Sequence, residues 1–212
     1  MRRTNFAPLA LASGLALSSL SLALSATPAA AKVLLSPEEA LALVFPGCTI
    51  ERQTVYLTAA EVAAARELAG TALASAVVHP YRARRLEGGG GAPEGKAGGE
   101  ACGTAYFDTH RVRTLAETVM VAIDPAGGVL RIEVLSFDEP PDYLPRAEWY
   151  AQFGGRKLTP ETELGRGIRP VTGATLTARV TTDAARRALA VHAQIEARSA
   201  APPVPPLARP QR

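Results

Sequence analysis

Between Gly103 and Phe137 the chain contains three β-rich runs in succession, and this stretch restricts the fold more than any other. Gly103 to Val112, Glu117 to Ile123 and Val129 to Phe137 are rich in β-branched and apolar residues. The last two are joined by Asp124-Pro125-Ala126-Gly127-Gly128, with proline and glycine where a tight turn needs a preset φ and then a positive one. Strands that follow one another through such short turns lie antiparallel, because parallel neighbours need a long crossover. The predicted fold class is therefore α+β, an antiparallel sheet with flanking helices.

The helices announce themselves by their caps. Ser36-Pro37-Glu38-Glu39 has Ser36 as N-cap, Pro37 at the first helical position and Glu39 closing a capping box, and the helix stops at Pro46-Gly47. Thr49 to Leu57 reads as one strand, and Thr58-x-x-Glu61 repeats the capping box before an Ala-rich helix ending at Gly70. Ala76 to Leu86 is a strand whose Pro80 implies an edge or a bulge. Glu87 to Gly103 is a glycine-rich loop. After Phe137, the prolines of Asp138 to Pro145 exclude regular helix and central strand. Glu148 to Phe153 is a short helical piece holding Trp149, and Thr177 to Arg198 is the last and longest helix. From Ala200 the chain is Pro-rich and reads as a tail.

Residues 1–31 have the makeup of a cleavable export signal. Arg2 and Arg3 form the positive region, Phe6 to Leu24 the apolar one, and Ala29-Ala30-Ala31 the cleavage site. An uncleaved membrane anchor is the alternative, and the incomplete twin-arginine pattern favours ordinary secretion. The expected location is periplasmic or extracytoplasmic. The formal charge of +3 falls to +1 when Arg2 and Arg3 leave with the signal. No run of Lys or Arg is interleaved with aromatics, so nucleic acid is not an expected partner. Cys48 and Cys102, the only cysteines, could bridge in an oxidising compartment or stay free; spacing does not decide.

Several apparent motifs fail. Gly90 to Lys96 has the G-x-x-x-x-G-K frame of a phosphate loop, but Ala97 replaces the magnesium-binding hydroxyl. His79, His110 and His192 have no mutual metal-ligand spacing, so no metal site is expected. Asp108-Thr109-His110-Arg111 is the densest polar cluster. It reads first as a solvated strand end, then as a buried polar anchor, and last as a catalytic base. No G-x-S-x-G elbow is present.

Thr172-Gly173-Ala174-Thr175-Leu176-Thr177 stands before the last helix, with Pro170 just upstream. Free N–H groups and the positive end of the helix dipole favour an anion there, and Gly173 and Ala174 let one approach closely. The bland reading is that Thr177 or Thr181 simply caps the helix.

This segment resembles the [ST]-G-A-T-x-[ST] signature of the FMN-binding domain family, seen in the C subunit of sodium-pumping NADH:quinone reductase and the G subunit of the Rnf complex. The likeness covers about residues 104 to 195. Val119 to Val134 is similar to the family's hairpin, and Glu139-Pro140 sits where the family has a Glu-Thr-Pro-Gly loop against the flavin. The resemblance implies FMN as cofactor, esterified through its phosphate to Thr175 by an ApbE-type flavin transferase. Thr172, Gly173, Ala174, Leu176, Thr177, Glu139, Pro140 and Tyr143 would surround it. Leu144, Trp149 and Tyr150 are nearby candidates for the flat apolar ring, with ordinary core packing as the alternative and as the favoured reading of Trp149. Arg169 stands where the family pattern usually has Asp.

The implied organisation is a signal peptide at 1–31, an N-terminal helix-strand-helix segment at 32–75, the FMN-binding domain at 76–198 with the insertion at 87–103, and a tail at 199–212. The implied role is passing electrons to or from a membrane-associated redox protein or complex, with no substrate of its own required. The rivals are a flavin-dependent reductase of a small acceptor and a flavin-free extracytoplasmic binding or sensory domain.

Overall fold

The computed structural model describes residues 32–85 and 99–200. The export-signal reading, the phosphate-loop-like frame with residues 87–98 of the insertion, and the tail from residue 201 onward lie outside the described residues. In chain order the elements are β1 (Lys32–Val33), α1 (Pro37–Val44), β2 (Cys48–Arg52), β3 (Val55–Tyr56), α2 (Ala59–Ala69), β4 (Val77–Val78), β5 (Tyr81–Arg85), β6 (Ala101–Arg111), β7 (Ala116–Ile123), β8 (Val129–Phe137), α3 (Ala147–Tyr150) and α4 (Thr175–Ala200). Single 3-10 turns stand at Pro141–Tyr143, Ala151–Phe153 and Pro160–Thr162.

The α+β class holds. Six strands form one sheet in the order β1-β8-β7-β6-β5-β2, every neighbouring pair antiparallel. Both capping boxes close as expected, Ser36 with Glu39 and Thr58 with Glu61, and Gly70 ends α2 at φ +70°, a left-handed conformation that suits glycine. In the β7–β8 turn Asp124 Oδ1 accepts N–H bonds from Ala126 and Gly128, and Gly127 takes φ +80°.

Four boundaries differ from the sequence reading. Thr49 to Leu57 is two strands: β2 belongs to the large sheet as its edge, whereas β3 pairs only with β4. The Ala76 region likewise splits into β4 and β5 around Pro80, whose carbonyl accepts from Gln53 N–H, so the two-stranded ribbon bends there. Tertiary pairing with β5 draws Ala101 to Gly103 out of the glycine-rich loop and into β6. Finally, α4 begins at Thr175 rather than Thr177.

Both faces of the sheet are covered. Val119, Val121 and Ile123 of β7 point to one side and meet Ala184, Ala185 and Leu189 of α4 with Trp149 and Phe153. Met120 and Ala122 point to the other and meet Ala40, Leu41 and Phe45 of α1. β7 is thus buried on both faces, and each of its buried Val, Ile and Met side chains contributes about 1.5–3 kcal/mol. Cys48 and Cys102 form a disulfide that ties β2 to β6 across β5. The 54-residue separation gives a loop-closure stabilisation of about 4 kcal/mol. Among the described residues no helix is long and apolar enough to cross a membrane.

Candidate functional site

The first turn of α4 opens on Val171 to Ala174, a tight turn in which Ala174 N–H donates to Val171 O. Gly173 takes φ +86°, which an L side chain rarely adopts, so the turn requires glycine for its backbone rather than for space. Ala178 N–H makes the first backbone bond into the helix, to Ala174 O. The N–H groups of Thr175, Leu176 and Thr177 therefore belong to the unpaired set at a helix start. Ala174 is buried under this turn, whereas Thr172, Thr175 and Leu176 face solvent.

Three elements converge on that helix start. Thr177, fully buried, donates from Oγ1 to Tyr143 O at 2.6 Å, pinning the proline-rich loop to α4. The carboxylate of Glu139 accepts N–H bonds from Arg113, Thr114 and Leu115 at 3.1, 2.6 and 2.9 Å. Those bonds, Leu115 first and then Thr114, hold Glu139 below the usual carboxylate range. Glu139 thereby fixes the turn between β6 and β7, and that turn carries Arg113 to a point 5.2 Å above the Tyr143 ring. The result is a hollow of about 150 Å³ lined by Val112, Arg113, Tyr143 and Gly173 to Thr177.

The sequence-predicted residues separate into groups. Thr172 to Thr177 and Tyr143 come together at the helix start, with Thr172 on its exposed shoulder. Glu139 is buried and its bonds go to the β6–β7 turn, while Pro140 is exposed and its carbonyl accepts from Tyr143 N–H. Leu144 and Tyr150 line a different cleft of about 570 Å³, between β8 and residues 144–154. Trp149 is core, donating from Nε1 to Arg169 O at 2.7 Å and stacked edge-on with Phe153. Arg169 binds the neighbouring loop through its backbone, its N–H donating to Gln152 Oε1, while the residue is exposed. Neither Thr177 nor Thr181 caps α4: both hydroxyls reach to other elements.

Arg113 was not among the expected residues. It follows β6 in sequence, and only the Glu139 contact, 26 positions away, places it beside Thr175.

Behind the hollow, the polar cluster of β6 is a buried anchor, the second of the three readings. His110 donates from both ring nitrogens, to Asp108 and to Glu117, each at 2.9 Å. Arg187 of α4 grips Asp108 with two bonds of 2.8 Å, and Thr181 donates to Glu117 at 3.1 Å. Burial alone would push His110 down. The hydrogen bonds and charges of Asp108 and Glu117 outweigh it and lift His110 to about 8. Burial works in the opposite sense on Asp108, but His110 and Arg187 bring it to about 2. One oxygen of Glu117, Oε1, has no partner among the described residues.

The donors of the hollow fit the phosphate end of a flavin nucleotide. They comprise backbone N–H groups at a helix start, a guanidinium held at the rim and an exposed threonine hydroxyl. The hollow is too small for a whole FMN, since pockets for ligands of that size run to roughly 300 Å³ and more. Residues 116–190 match the family model described as the FMN-binding domain. That span contains Glu139, Tyr143 and Thr172 to Thr177, and the match supports FMN as the cofactor. No curated protein and no solved structure matches the chain.

Proposed function

Taking the FMN-binding domain matched at residues 116–190 as premise, we propose that this chain is an exported flavoprotein, with FMN ester-linked to Thr175, that exchanges electrons with a membrane-associated redox partner. The observation that carries the reading is the accessible Thr175 hydroxyl at the start of α4, with Arg113 lining the same hollow. An ApbE-type transferase would form the bond from Thr175 Oγ1 to phosphorus as FAD loses AMP, the hydroxyl proton leaving with the transferase's base. Thr175 Oγ1 now donates to Val171 O at 3.1 Å, and that bond is given up when the oxygen becomes an ester. The new phosphodiester would carry one negative charge, offset by the helix start and Arg113. Thr177 holds the Tyr143 wall in place, and Glu139 holds the turn bearing Arg113. Bound there, FMN supplies one- and two-electron redox chemistry.

Export supports the covalent link, because a dissociable cofactor would be lost outside the cytoplasm. The amino-terminal signal pattern and the Cys48–Cys102 disulfide suit an oxidising compartment.

The test is co-expression of the mature chain with a flavin transferase, followed by denaturing electrophoresis and in-gel flavin fluorescence. Wild type fluoresces and Thr175→Val does not. A dark wild-type band removes the covalent reading, and a fluorescent Thr175→Val band moves the attachment site.

A further inference from the structure

β6 is longer than its neighbour β5. The pairing of the two ends at Tyr81 opposite Ala105, because the β2–β3 and β4–β5 ribbon bends away at Pro80. Beyond that point β6 continues to Arg111 paired only with β7. Val112 N–H bonds to Leu115 O, so by the alternation of an antiparallel ladder Asp108 and His110 direct their backbone groups at β7. Phe107, Thr109 and Arg111 direct theirs outward, where no strand pairs with them among the described residues.

A groove of about 440 Å³ wraps this open edge on both faces of the sheet. Val78, Tyr106 and Val191 line it on the α4 side; Phe107, Thr109 and Leu135 line it on the α1 side. The one carboxylate in its wall, Asp108, is already held by Arg187 and His110. Arg52 and Arg111, by contrast, are exposed and make no ion pair among the described residues. Both are on the α1 side, since Arg52 is in register with Tyr81 and Tyr81 with Ala105. Six residues of strand separate the level of Ala105 from Arg111, a span of about 20 Å.

We propose that the outer edge of β6 from Phe107 to Arg111 is a docking strand for an extended, acidic segment of a partner protein. The added strand would bond its backbone to Phe107, Thr109 and Arg111. Its side chains would alternate, apolar ones entering the α4 side and acidic ones at the two ends meeting Arg52 and Arg111 on the α1 side. The edge stops two residues before Arg113, which lines the hollow at Thr175. A partner seated there is brought beside the flavin anchor. That this partner exchanges electrons rests on the flavin reading; the docking itself does not.

The probe is a fluorescein-labelled peptide of about seven residues, alternating Val with Thr and carrying Glu at both ends. Binding is followed by fluorescence anisotropy on the flavin-free and the flavin-loaded chain. Wild type binds it, and a version with Lys at both ends binds at least about tenfold more weakly. Arg52→Glu with Arg111→Glu reverses that preference. Thr109→Pro, which removes an outward N–H that the β6–β7 ladder does not use, abolishes binding. Circular dichroism checks that each variant is folded, and the charge-reversal pair keeps the test decisive if the proline variant is not. Equal binding of the acidic and basic peptides overturns the proposal. So does a wild-type chain that dimerises in sedimentation and becomes monomeric on Thr109→Pro, because the edge would then serve a second copy. A chain that binds the peptide and never takes up flavin removes the redox role alone.

Discussion

The hollow at Thr175 and the cluster around His110 are both polar and both attached to α4, and they treat charge in opposite ways. Around His110 a cation lies between two carboxylates, a second cation grips one of them, and Thr181 supports the other. At Thr175 the donors outnumber the acceptors: backbone N–H groups and an arginine meet in a hollow with no carboxylate in its lining. Saturated charge in the interior holds elements together, because the desolvation cost of each ion is offset only by its partners. Unsaturated donors at the surface are free to bind something else. The contrast explains why the densest polar cluster in the sequence is structural and the sparser one is the candidate site.

Breaking the inner cluster should have the largest effect. Glu117→Ala removes the acceptor of His110 and Thr181 and leaves space between β7 and α4, so urea unfolding should show a loss of about 3–5 kcal/mol. A loss below about 1 kcal/mol would mean that the cluster does not hold α4 to the sheet.

pH gives the next largest effect, and its sign follows from the shifts. His110 is raised from 6.5 to about 8, so its contribution is complete below 6.5 and is lost as pH rises through about 8. The size is about 2 kcal/mol. Asp108 is lowered from 3.8 to about 2, so its contribution is complete above 3.8 and fades as pH falls through about 2. Stability from these two groups should therefore plateau between about 4 and 6.5 and decline towards pH 9. His110→Leu should flatten the alkaline decline, which urea midpoints measured across that range would register.

The smallest effect on stability should come from the outer region. Arg113→Ala should change unfolding by no more than about 0.5 kcal/mol, while flavin incorporation by the transferase slows about tenfold. Unchanged incorporation would remove Arg113 from the site and leave the helix start to offset the phosphate alone.

Sequence signals were reliable where the deciding interaction is local. Ser36 with Glu39 and Thr58 with Glu61 lie three residues apart, and both boxes close. The Asp124 turn is equally self-contained. Errors arose where a distant strand sets the boundary, as when β5 extends β6 back to Ala101 or the bend at Pro80 divides Thr49 to Leu57. In the candidate site, the motif and its resemblance pointed to Thr172 to Thr177 and Tyr143, and the structure brings Gly173 to Thr177 and Tyr143 into one hollow. The placing of Leu144 and Tyr150 in another cleft, and of Glu139 on the β6–β7 turn, depends on contacts more than twenty residues apart for Glu139 and on the packing of a loop for the others.

By itself the sequence determined the antiparallel α+β class and two helix starts, and it singled out Thr172 to Thr177 as the candidate phosphate-binding segment. These depend on periodicity, turn residues and caps, which act over a few positions. Tertiary structure alone decided that Cys48 bonds Cys102, that His110 is enclosed by two carboxylates, and that Arg113 stands beside Thr175. Each of these joins residues from separate elements, and their meeting depends on how the sheet and α4 pack, which no local pattern specifies.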